Sequence, residues 1–455
     1  MELTQYRSVF FLGIGGIGMS ALARWCHLQG MHVRGYDRTE TPLTQQLAGL
    51  GIQVSYSEDI PSDIKEVDLI VRTPAVPSDH PILMYAHAHT IPVLKRAELL
   101  GWISQSLKCL SVAGTHGKTS VTAMLTHIMK AAGNDPLAFV GGILKQYDSN
   151  VFAGNSVWMI AEADEYDRSF LKLQSYAAIV TAIDPDHLDI YGNIEAFHQG
   201  FIDFGKQVST EGYFIVHESL RDYALRVQHP NTIFYGTTAL AEARISEVRS
   251  KGTESWFDFE FGAVKLQNLV LKVPGMHNIL NAAAAITMAL KSGVSPAVLP
   301  AIVSDFQGVR RRMDIRFVSD AVTYIDDYAH HPEEILAVLT SVRSIFPNHH
   351  LRVAFQPHLY SRTRDFQQGF AQSLELADEV LLLDIYPARE LPIPGISMRS
   401  IADHMYTVQP VFTDLHTLAA DLLNALPKPS VVMTLGAGNI DTTVHSIVKR
   451  LEVAA

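Results

Sequence analysis

The sequence predicts an α/β protein of three domains: a Rossmann-like N-terminal domain, a central P-loop domain with a mainly parallel sheet, and a C-terminal Rossmann-like α/β domain. Three observations support this prediction. Short β-rich apolar runs alternate with helix-like segments along the chain, which is typical of parallel sheets. Two of these runs lead directly into glycine loops. The length of 455 residues corresponds to about three domains at roughly 150 residues each.

The N-terminal domain is predicted over residues 1–105 and begins as strand, glycine turn and helix. Ser8–Leu12 is a short apolar strand, and His32–Tyr36 is a second strand that ends at Asp37. This β-α-β outline favours a ligand that carries phosphate, bound at the start of the helix. The alternative is a sharp turn that merely needs glycine. The loop between the strands consists of Gly13, Ile14, Gly15, Gly16, Ile17 and Gly18.

The central domain is predicted over residues 106–307 and carries the strongest single motif. A strand at Cys109–Ala113 runs into a loop and then into a helix. Backbone N–H groups in such a loop cradle phosphate oxygens, while Lys118 would add positive charge and the Thr119 hydroxyl would ligate Mg²⁺. Val112 stands where the full pattern has its first glycine, so an ordinary tight turn is the alternative. The motif comprises Gly114, Thr115, His116, Gly117, Lys118, Thr119 and Ser120.

Two polar side chains follow the next buried strands of the same domain. Glu162 comes after Trp158–Ala161, and His187 comes after Ala177–Ile183. An acid at this edge of a parallel sheet can reach a Mg²⁺ ion held by the phosphate loop. The sequence therefore predicts that Glu162 reaches a Mg²⁺ ion held at Thr119, and that His187 faces the same loop. Taken alone, Glu162 could equally be a solvated strand end and His187 a turn residue.

The C-terminal domain is predicted over residues 308–455 and begins after a run of arginines that ends at Arg312. Its strands are again separated by helix-like segments. A histidine of the pair His330-His331, or a carboxylate of the pair Asp326-Asp327, could accept a proton during catalysis. The alternative for the histidines is one loop residue and one structural residue before a helix that Pro332 begins. The strands are predicted at Thr323–Ile325, Leu351–Phe355, Val380–Leu383 and Val431–Leu435.

Composition excludes several classes of protein. Apolar residues make up 47% of the chain, which excludes a disordered protein. The formal net charge of −11 argues against a general nucleic-acid binder. Two cysteines are too few for a disulfide framework and fit a reducing compartment, so we expect a cytoplasmic protein. No apolar run reaches the roughly 18 residues of a membrane span, so no membrane insertion is expected.

A set of motifs in a fixed order over nearly the whole chain resembles the Mur ligases. Within that family the resemblance is to the branch that adds L-alanine to UDP-N-acetylmuramate. Other branches carry a carbamylated lysine near Phe201–Phe204, where this chain and the alanine-adding branch have none. The motifs are Gly13–Ser20 (GIGGIGMS), Gly114–Thr119 (GTHGKT), Glu162–Asp167 (EADEYD), Asp186–Asp189 (DHLD), Gly275–Ala282 (GMHNILNA), Arg310–Asp314 (RRRMD), Asp326–Pro332 (DDYAHHP), Gln356–Thr363 (QPHLYSRT) and Tyr386–Glu390 (YPARE).

The resemblance implies that the central domain binds ATP with two Mg²⁺ ions. It implies that Lys118 and Thr119 hold the phosphates and magnesium, and that Glu162 and His187 are metal ligands. Asn278 would lie beside the adenine. Further residues that the resemblance implies in ATP binding are His277, Asn281, Arg312 and Asp327.

The resemblance also implies that the N-terminal glycine loop, with Asp37, binds the uridine diphosphate of the sugar nucleotide. The C-terminal domain would bind the amino acid. Residues expected to face the sugar nucleotide or the amino acid are His330, His331, Arg362 and Arg364. The implied reaction phosphorylates the lactyl carboxylate of UDP-N-acetylmuramate with ATP, and the amine of L-alanine then displaces phosphate. Catalysis would rest on Lys118, Glu162, His187, His330, His331 and Arg312.

Three alternatives remain open at the level of sequence. A ligase that attaches a murein tripeptide to the same sugar nucleotide shares the phosphate loop. A nicotinamide dehydrogenase would use the N-terminal glycine loop and Asp37 but would leave Gly114–Thr119 without a role. A non-catalytic nucleotide-binding scaffold would keep Lys118 but show no amino-acid-dependent ATP hydrolysis.

Overall fold

Three separate β-sheets organise the part of the chain that the structure describes, which confirms the predicted α/β class. The structure is a computed structural model that describes residues 5–185, 188–388 and 390–454, with the backbone alone for residues 188 and 189. Each sheet lies inside one of the predicted domains, whose boundaries stay a prediction. By packing, the chain forms two compact units. One runs to Glu247 and includes Phe257–Leu269 and Leu280–Asp305, and the other contains Val248–Trp256, Val270–Ile279 and the chain from Phe306 onward.

The N-terminal sheet is a five-stranded parallel sheet of the Rossmann type. Its strands are β1 (Ser8–Leu12), β2 (His32–Tyr36), β3 (Gln53–Ser55), β4 (Leu69–Arg72) and β5 (Val93–Lys95), and its helices are α1 (Ile17–Leu28), α2 (Pro42–Gly49), α3 (Pro81–Ala88) and α4 (Arg96–Ser104). The strand order is β3-β2-β1-β4-β5, so the chain reverses direction of winding at β1 and β4. The apolar stripe of α1, with Met19, Leu22 and Cys26, is buried. The glycine loop therefore lies at the carboxyl end of β1, where such sheets bind ligands.

The central sheet has ten strands and is parallel around its middle. Its strands are β6 (Lys108–Ala113), β7 (Leu137–Leu144), β8 (Ser149–Ala153), β9 (Trp158–Ala163), β10 (Ser175–Val180), β11 (Phe214–His217), β12 (Thr232–Gly236), β13 (Ala243–Lys251), β14 (Glu254–Phe261) and β15 (Val264–Leu271). The order is β15-β14-β13-β12-β11-β10-β6-β9-β7-β8. Strand β6 pairs in parallel with β10 on one side and β9 on the other. The loops after these three strands consequently meet at one edge.

The helices of the central region are α5 (Lys118–Ala131), α6 (Leu188–Tyr191), α7 (Ile194–Gln207), α8 (Arg221–Val227), α9 (Met276–Lys291) and α10 (Leu299–Asp305). The apolar core is continuous from the N-terminal sheet into the central sheet. One link in it is the contact between Trp25 of α1 and Phe139 of β7, whose ring centroids are 6.5 Å apart. The helix that follows the N-terminal glycine loop thus packs on the central sheet, which carries the phosphate loop.

The prediction that β10 extends to Ile183 was wrong, because the strand ends at Val180. The Thr181 hydroxyl donates hydrogen bonds to the carbonyl oxygens of Ala113 and His116. These bonds tie the segment after β10 to the end of β6 and to the phosphate loop. A run of apolar residues could not reveal this end of the strand, because it depends on a partner elsewhere in the chain.

The C-terminal sheet has six strands, which are β16 (Asp314–Val318), β17 (Val322–Asp327), β18 (His350–Phe355), β19 (Glu379–Leu382), β20 (Val411–Phe412) and β21 (Ser430–Leu435). Their order in the sheet is β16-β17-β21-β18-β19-β20. All neighbouring pairs are parallel except β16 with β17. No helix in the described part of the chain is long and apolar enough to cross a membrane. The helices of this region are α11 (Pro332–Ile345), α12 (Tyr360–Leu374), α13 (Met398–Ala402), α14 (Leu418–Asp421) and α15 (Val444–Ala454).

Candidate active site

The loop between β6 and α5 has the backbone shape that a phosphate loop requires. Gly114 has φ +129° and Gly117 has φ +81°, both in the region that side chains disfavour. A Cβ on Gly114 would lie 2.2 Å from the Thr181 hydroxyl, and one on Gly117 would lie 2.7 Å from the Asn281 side-chain oxygen. Glycine is therefore needed at both positions. The first turn of α5, with Lys118, Thr119 and Ser120, points its backbone N–H groups toward this loop.

Neighbouring segments hold the loop in place. The Thr115 N–H donates to the Ala182 carbonyl oxygen at 3.0 Å, and the Thr115 hydroxyl accepts from the Asp184 N–H at 3.1 Å. The His116 ring lies 3.5 Å from the Asp184 carboxylate. His116 is thus tied to the chain after β10. The Asn281 side chain, on α9, lies against Gly117 and so beside the loop, and its contact with ATP stays a prediction.

Lys118 is held by an acid that the sequence-based interpretation did not single out. Its Nζ lies 2.8 Å from both carboxylate oxygens of Glu165 and 2.6 Å from the Gly114 carbonyl oxygen. The side chain of Glu165 is only 2% exposed. Burial acts to lower the pKa of Lys118, but the surrounding carboxylates, Glu165 foremost, outweigh it and raise that pKa. Lys118 is therefore a cation at neutral pH. The available signal was that Glu165 stands in the same motif as Glu162.

Glu162 and Thr119 form the candidate magnesium site. The Thr119 hydroxyl lies 3.2 Å from Glu162 Oε2, and the Gly141 N–H donates to Glu162 Oε1 at 2.5 Å. A hydroxyl and a carboxylate are hard oxygen ligands, and Mg²⁺ commonly uses one or two such protein groups together with phosphates and water. The pair therefore fits Mg²⁺. Within the described residues no three His, Cys, Asp or Glu side chains cluster as a metal site, and His187, the third predicted ligand, lies outside those residues.

The N-terminal glycine loop is held by Asp37. The Gly15 N–H donates to Asp37 Oδ2 at 2.7 Å, and a Cβ on Gly15 would lie 2.8 Å from the same oxygen. Gly13 has φ +81°, and its N–H donates to the Tyr36 carbonyl oxygen at 2.8 Å. Asp37 thus shapes the loop directly. A contact between Asp37 and the sugar nucleotide stays a prediction, as do the nucleotide contacts of the loop residues Gly13, Gly15, Gly16, Ile17 and Gly18.

Within the second compact unit, Arg312, Asp327 and His277 form one electrostatic cluster. Asp327 is buried, and it accepts hydrogen bonds from the Met313 N–H at 2.6 Å and the Ala329 N–H at 2.8 Å. Burial raises the pKa of Asp327 to about 6, against the opposing charge of Arg312. Burial, helped by Arg312, lowers the pKa of His277 to about 4. The Arg312 guanidinium lies over the ring of Tyr328, 5.1 Å from its centroid. Their contacts with ATP stay a prediction.

Asn278 and Asp326 are both occupied by protein partners. Asn278 is 3% exposed, and its side-chain amide donates to the Pro274 carbonyl oxygen at 2.7 Å. Asp326 Oδ1 accepts from the Thr434 hydroxyl at 2.6 Å. The buried carboxylate of Asp326 is thus engaged with a neighbouring strand, and that of Asp327 with backbone N–H groups on either side of β17. Among the proton acceptors considered from sequence, this arrangement favours a histidine.

The two adjacent histidines have different surroundings. His330 Nδ1 lies 3.0 Å from the Tyr328 carbonyl oxygen and 3.2 Å from Glu334 Oε2. Burial lowers the pKa of His330 to about 4, so the ring is neutral at pH 7. His331 is 8% exposed, precedes the first residue of α11 and packs against Phe366, with ring centroids 4.7 Å apart. This supports the interpretation of His331 as the structural member of the pair.

The two arginines expected at the sugar nucleotide also differ. Arg362 is 9% exposed, and its charge reaches His330, whose pKa it helps to lower. Arg364 is about half exposed and pairs with Asp365, with Nε 2.7 Å from Oδ1. Arg362 therefore acts electrostatically on His330, whereas the charge of Arg364 is paired with Asp365. His358, within the same motif, packs against His330 with ring centroids 5.8 Å apart and was not singled out from the sequence.

Three family models match the chain in succession. The model described as "Mur ligase family, catalytic domain" matches residues 8–107. The "Mur ligase middle domain" matches residues 112–289, and the "Mur ligase, glutamate ligase domain" matches residues 311–438. Together these matches cover most of the chain, in the order in which the three sheets follow one another.

Full-length relatives and solved structures agree with these matches. A UDP-N-acetylmuramate--L-alanine ligase from Cytophaga hutchinsonii is 40% identical over 98% of this chain and 97% of its own length. One from Christiangramia forsetii is 41% identical over 99% of both. A crystal structure of a UDP-N-acetylmuramate-alanine ligase from Thermotoga maritima has a TM-score of 0.83 and 29% identity, covering 98% of this chain and 100% of that one. A murein peptide ligase from Psychrobacter arcticus, at 22% identity and TM-score 0.73 over 98% of both chains, shares the fold.

Proposed function

The chain belongs to the Mur ligase family, and from this premise we propose that it joins L-alanine to the lactyl carboxylate of UDP-N-acetylmuramate at the expense of ATP. It is an ATP-dependent ligase of peptidoglycan synthesis, acting on small-molecule substrates. The observation that carries the proposal is one edge of the central sheet. There Lys118 and Thr119 begin a helix after a glycine loop, and the Glu162 carboxylate lies 3.2 Å from the Thr119 hydroxyl.

The chemistry requires activation, because a carboxylate does not react with an amine in water. In the proposed reaction a lactyl carboxylate oxygen attacks the γ-phosphorus of ATP, and ADP leaves. The amine nitrogen of L-alanine then attacks the acyl carbon of the resulting acyl phosphate, and phosphate leaves. Both steps bring anions together, so the protein must align the reactants and neutralise charge. Lys118 supplies a positive charge at the phosphate loop.

Magnesium is proposed as the metal that accompanies ATP. Bound Mg²⁺ would neutralise phosphate charge and polarise the phosphoryl group. Thr119 and Glu162 would hold it, and His187 is proposed as the ligand of a second ion. The number of ions and a location in the bacterial cytoplasm remain predictions.

The proposal is tested by leaving out each substrate in turn. We expect phosphate release only when ATP, Mg²⁺, UDP-N-acetylmuramate and L-alanine are all present, with a product heavier than the sugar nucleotide by one alanine residue in mass spectrometry. Glycine, L-serine and a murein tripeptide serve as competing amines. Faster turnover with the tripeptide than with L-alanine would identify the tripeptide as the substrate amine. A rate of phosphate release that is the same with and without an amine would exclude a ligase. Reduction or oxidation of a nicotinamide would favour the dehydrogenase alternative.

We propose His330 as the group that accepts the proton of the attacking amine. With Nδ1 directed at the Tyr328 carbonyl oxygen, the neutral ring presents Nε2 as its acceptor. Because the pKa of His330 is lowered to about 4, the acceptor form persists down to about pH 5. We expect His330→Gln to lower kcat at pH 7 by about 10²–10⁴-fold, as for other general bases. The deficit should shrink toward pH 9, where more of the free amine is already deprotonated in solution.

The pH profile separates this role from a positioning role. A variant with a constant deficit from pH 7 to pH 9, or one that changes only the KM for L-alanine, would show that His330 positions the amino acid without taking its proton. His331→Gln is the matched comparison, and its main expected effect is a lower midpoint of thermal unfolding, because His331 packs on Phe366.

A further inference from the structure

Arg96 lies between the two glycine loops. It is the first residue of α4, and its Nη2 lies 3.1 Å from Asp164 Oδ2, in the segment that follows β9. Its Nη1 lies 2.6 Å from the position that a Cβ on Gly18 would occupy, in the first turn of α1. The guanidinium therefore rests directly on the backbone of the N-terminal glycine loop, and any larger residue at position 18 would displace it.

The surroundings of Arg96 are strongly acidic. Arg96, Glu162 and Asp164 line a small cleft together with apolar residues of α4. Glu165 follows in the same segment but is already neutralised by Lys118. A sugar nucleotide that enters here brings several negative charges toward these carboxylates, so its binding needs a cation at this point. Arg96 is the cation that lines the cleft.

The ion pair between Arg96 and Asp164 is weak enough to be broken when a ligand binds. Its ion pair with Asp164 uses a single guanidinium nitrogen, and the two side chains are 28% and 35% exposed. Exposed pairs of this kind contribute little to stability. A phosphate group offers the planar guanidinium two parallel charge-assisted hydrogen bonds, which are stronger. We therefore expect the Arg96 guanidinium to exchange the Asp164 carboxylate for a phosphate group when one is present.

We propose that Arg96 binds the pyrophosphate of the sugar nucleotide, leaving Asp164 when the substrate enters. The inference rests on the proposed function, since that function supplies the ligand. The contact with Gly18 favours the pyrophosphate over the lactyl carboxylate, because the first turn of α1 directs its N–H groups at the same place and α1 has no side-chain cap. The Asn150 amide, which donates to the Ile17 carbonyl oxygen at 2.8 Å, fixes that turn against the central sheet.

Calorimetric titration with UDP-N-acetylmuramate and with UDP tests the assignment. We expect Arg96→Gln to weaken the binding of both ligands by a similar factor of about ten or more, as for loss of a hydrogen bond to a charged group. Arg96→Lys should lose less, because it keeps the charge but not the paired geometry. Asp164→Asn frees Arg96 from its present partner, so it should bind both ligands as tightly as the wild type or more tightly.

The controls separate ligand binding from a structural role. Lys95→Gln removes the neighbouring ion pair between the same two segments, in which Lys95 Nζ lies 2.6 Å from Asp167 Oδ2, and should leave both affinities unchanged. Equal losses in Arg96→Gln and Asp164→Asn would mean that the ion pair only holds the segments together. A loss for UDP-N-acetylmuramate but not for UDP would place Arg96 at the carboxylate. Each of these two results overturns the inference, and so does unchanged binding in Arg96→Gln. In all three cases the proposed function stands as long as the wild type is active. A wild type that binds neither ligand overturns the proposed function, and this inference with it.

Discussion

Replacing Lys118 with methionine is expected to lower kcat by about 10²–10³-fold, the range seen when one preorganised donor to a developing charge is removed. Lys118 Nζ already lies at the loop, 2.6 Å from the Gly114 carbonyl oxygen, where the phosphates are expected. The assay is phosphate release at saturating substrates. A folded variant with wild-type kcat would contradict the role assigned to Lys118.

The same substitution is expected to destabilise the protein, which its sequence does not indicate. Glu165 is 2% exposed and would lose its cation. Removing one member of a buried ion pair costs about 3–5 kcal/mol, because the remaining charge is stranded in a medium of low polarity. The midpoint of thermal unfolding of Lys118→Met should fall clearly below that of the wild type.

A double variant separates the two effects. Lys118→Met combined with Glu165→Gln removes both charges, so we expect most of the thermal stability to return while kcat stays low. If the double variant unfolds as early as Lys118→Met, the stranded carboxylate is not the cause of the instability. If it recovers kcat as well, Lys118 acts in folding and not in phosphoryl transfer.

Glu162→Gln is expected to lower kcat by at least about 100-fold, since changes even to the outer partners of metal ligands cost 10–100-fold. The amide keeps the size of the side chain and can still accept from the Gly141 N–H, but it lacks the negative charge that attracts Mg²⁺. The Mg²⁺ concentration for half-maximal rate should rise. Titration of the rate with Mg²⁺ at fixed ATP measures both effects.

Two companions make this test specific. Glu195→Gln changes an exposed glutamate in the first turn of α7 and should leave the Mg²⁺ dependence as in the wild type. Gly141→Ala keeps every charge but places a Cβ 2.6 Å from both Glu162 carboxylate oxygens, so it should shift the Mg²⁺ dependence in the same direction. An unchanged Mg²⁺ dependence in Glu162→Gln would remove Glu162 from the metal site.

Much of the fold followed from local patterns. The strands Ser8–Leu12 and His32–Tyr36 were predicted with the bounds that they have. Both are short and end where a glycine or an aspartate begins the next loop, and Ser8–Leu12 is almost entirely apolar, as expected for a buried parallel strand. The end of β10 was missed because Thr181 bonds to the Ala113 carbonyl group on β6 and to the His116 carbonyl group in the phosphate loop. A window along the chain contains no information on that partner.

The candidate site divides in the same way. Lys118, Thr119 and Glu162 were predicted from their places after strands, and the structure brings them to one edge. Glu165, Arg96 and His358 were not singled out, because their importance lies in what they contact. Asp37 was predicted as a residue of the nucleotide site, but only the structure showed that its carboxylate accepts the Gly15 N–H and so shapes the glycine loop.

The sequence by itself determined the α/β class, the two glycine loops, the family and the chemistry offered by the residues at the strand ends. These features depend on local periodicity, on the conformations that glycine permits and on motif order, all of which are written along the chain. Only the tertiary structure decided which charges meet: Lys118 with Glu165, Arg96 with Asp164, and Arg312 with Asp327. Such pairings depend on burial and on distances between side chains far apart in sequence, and electrostatic energy is set by those two quantities.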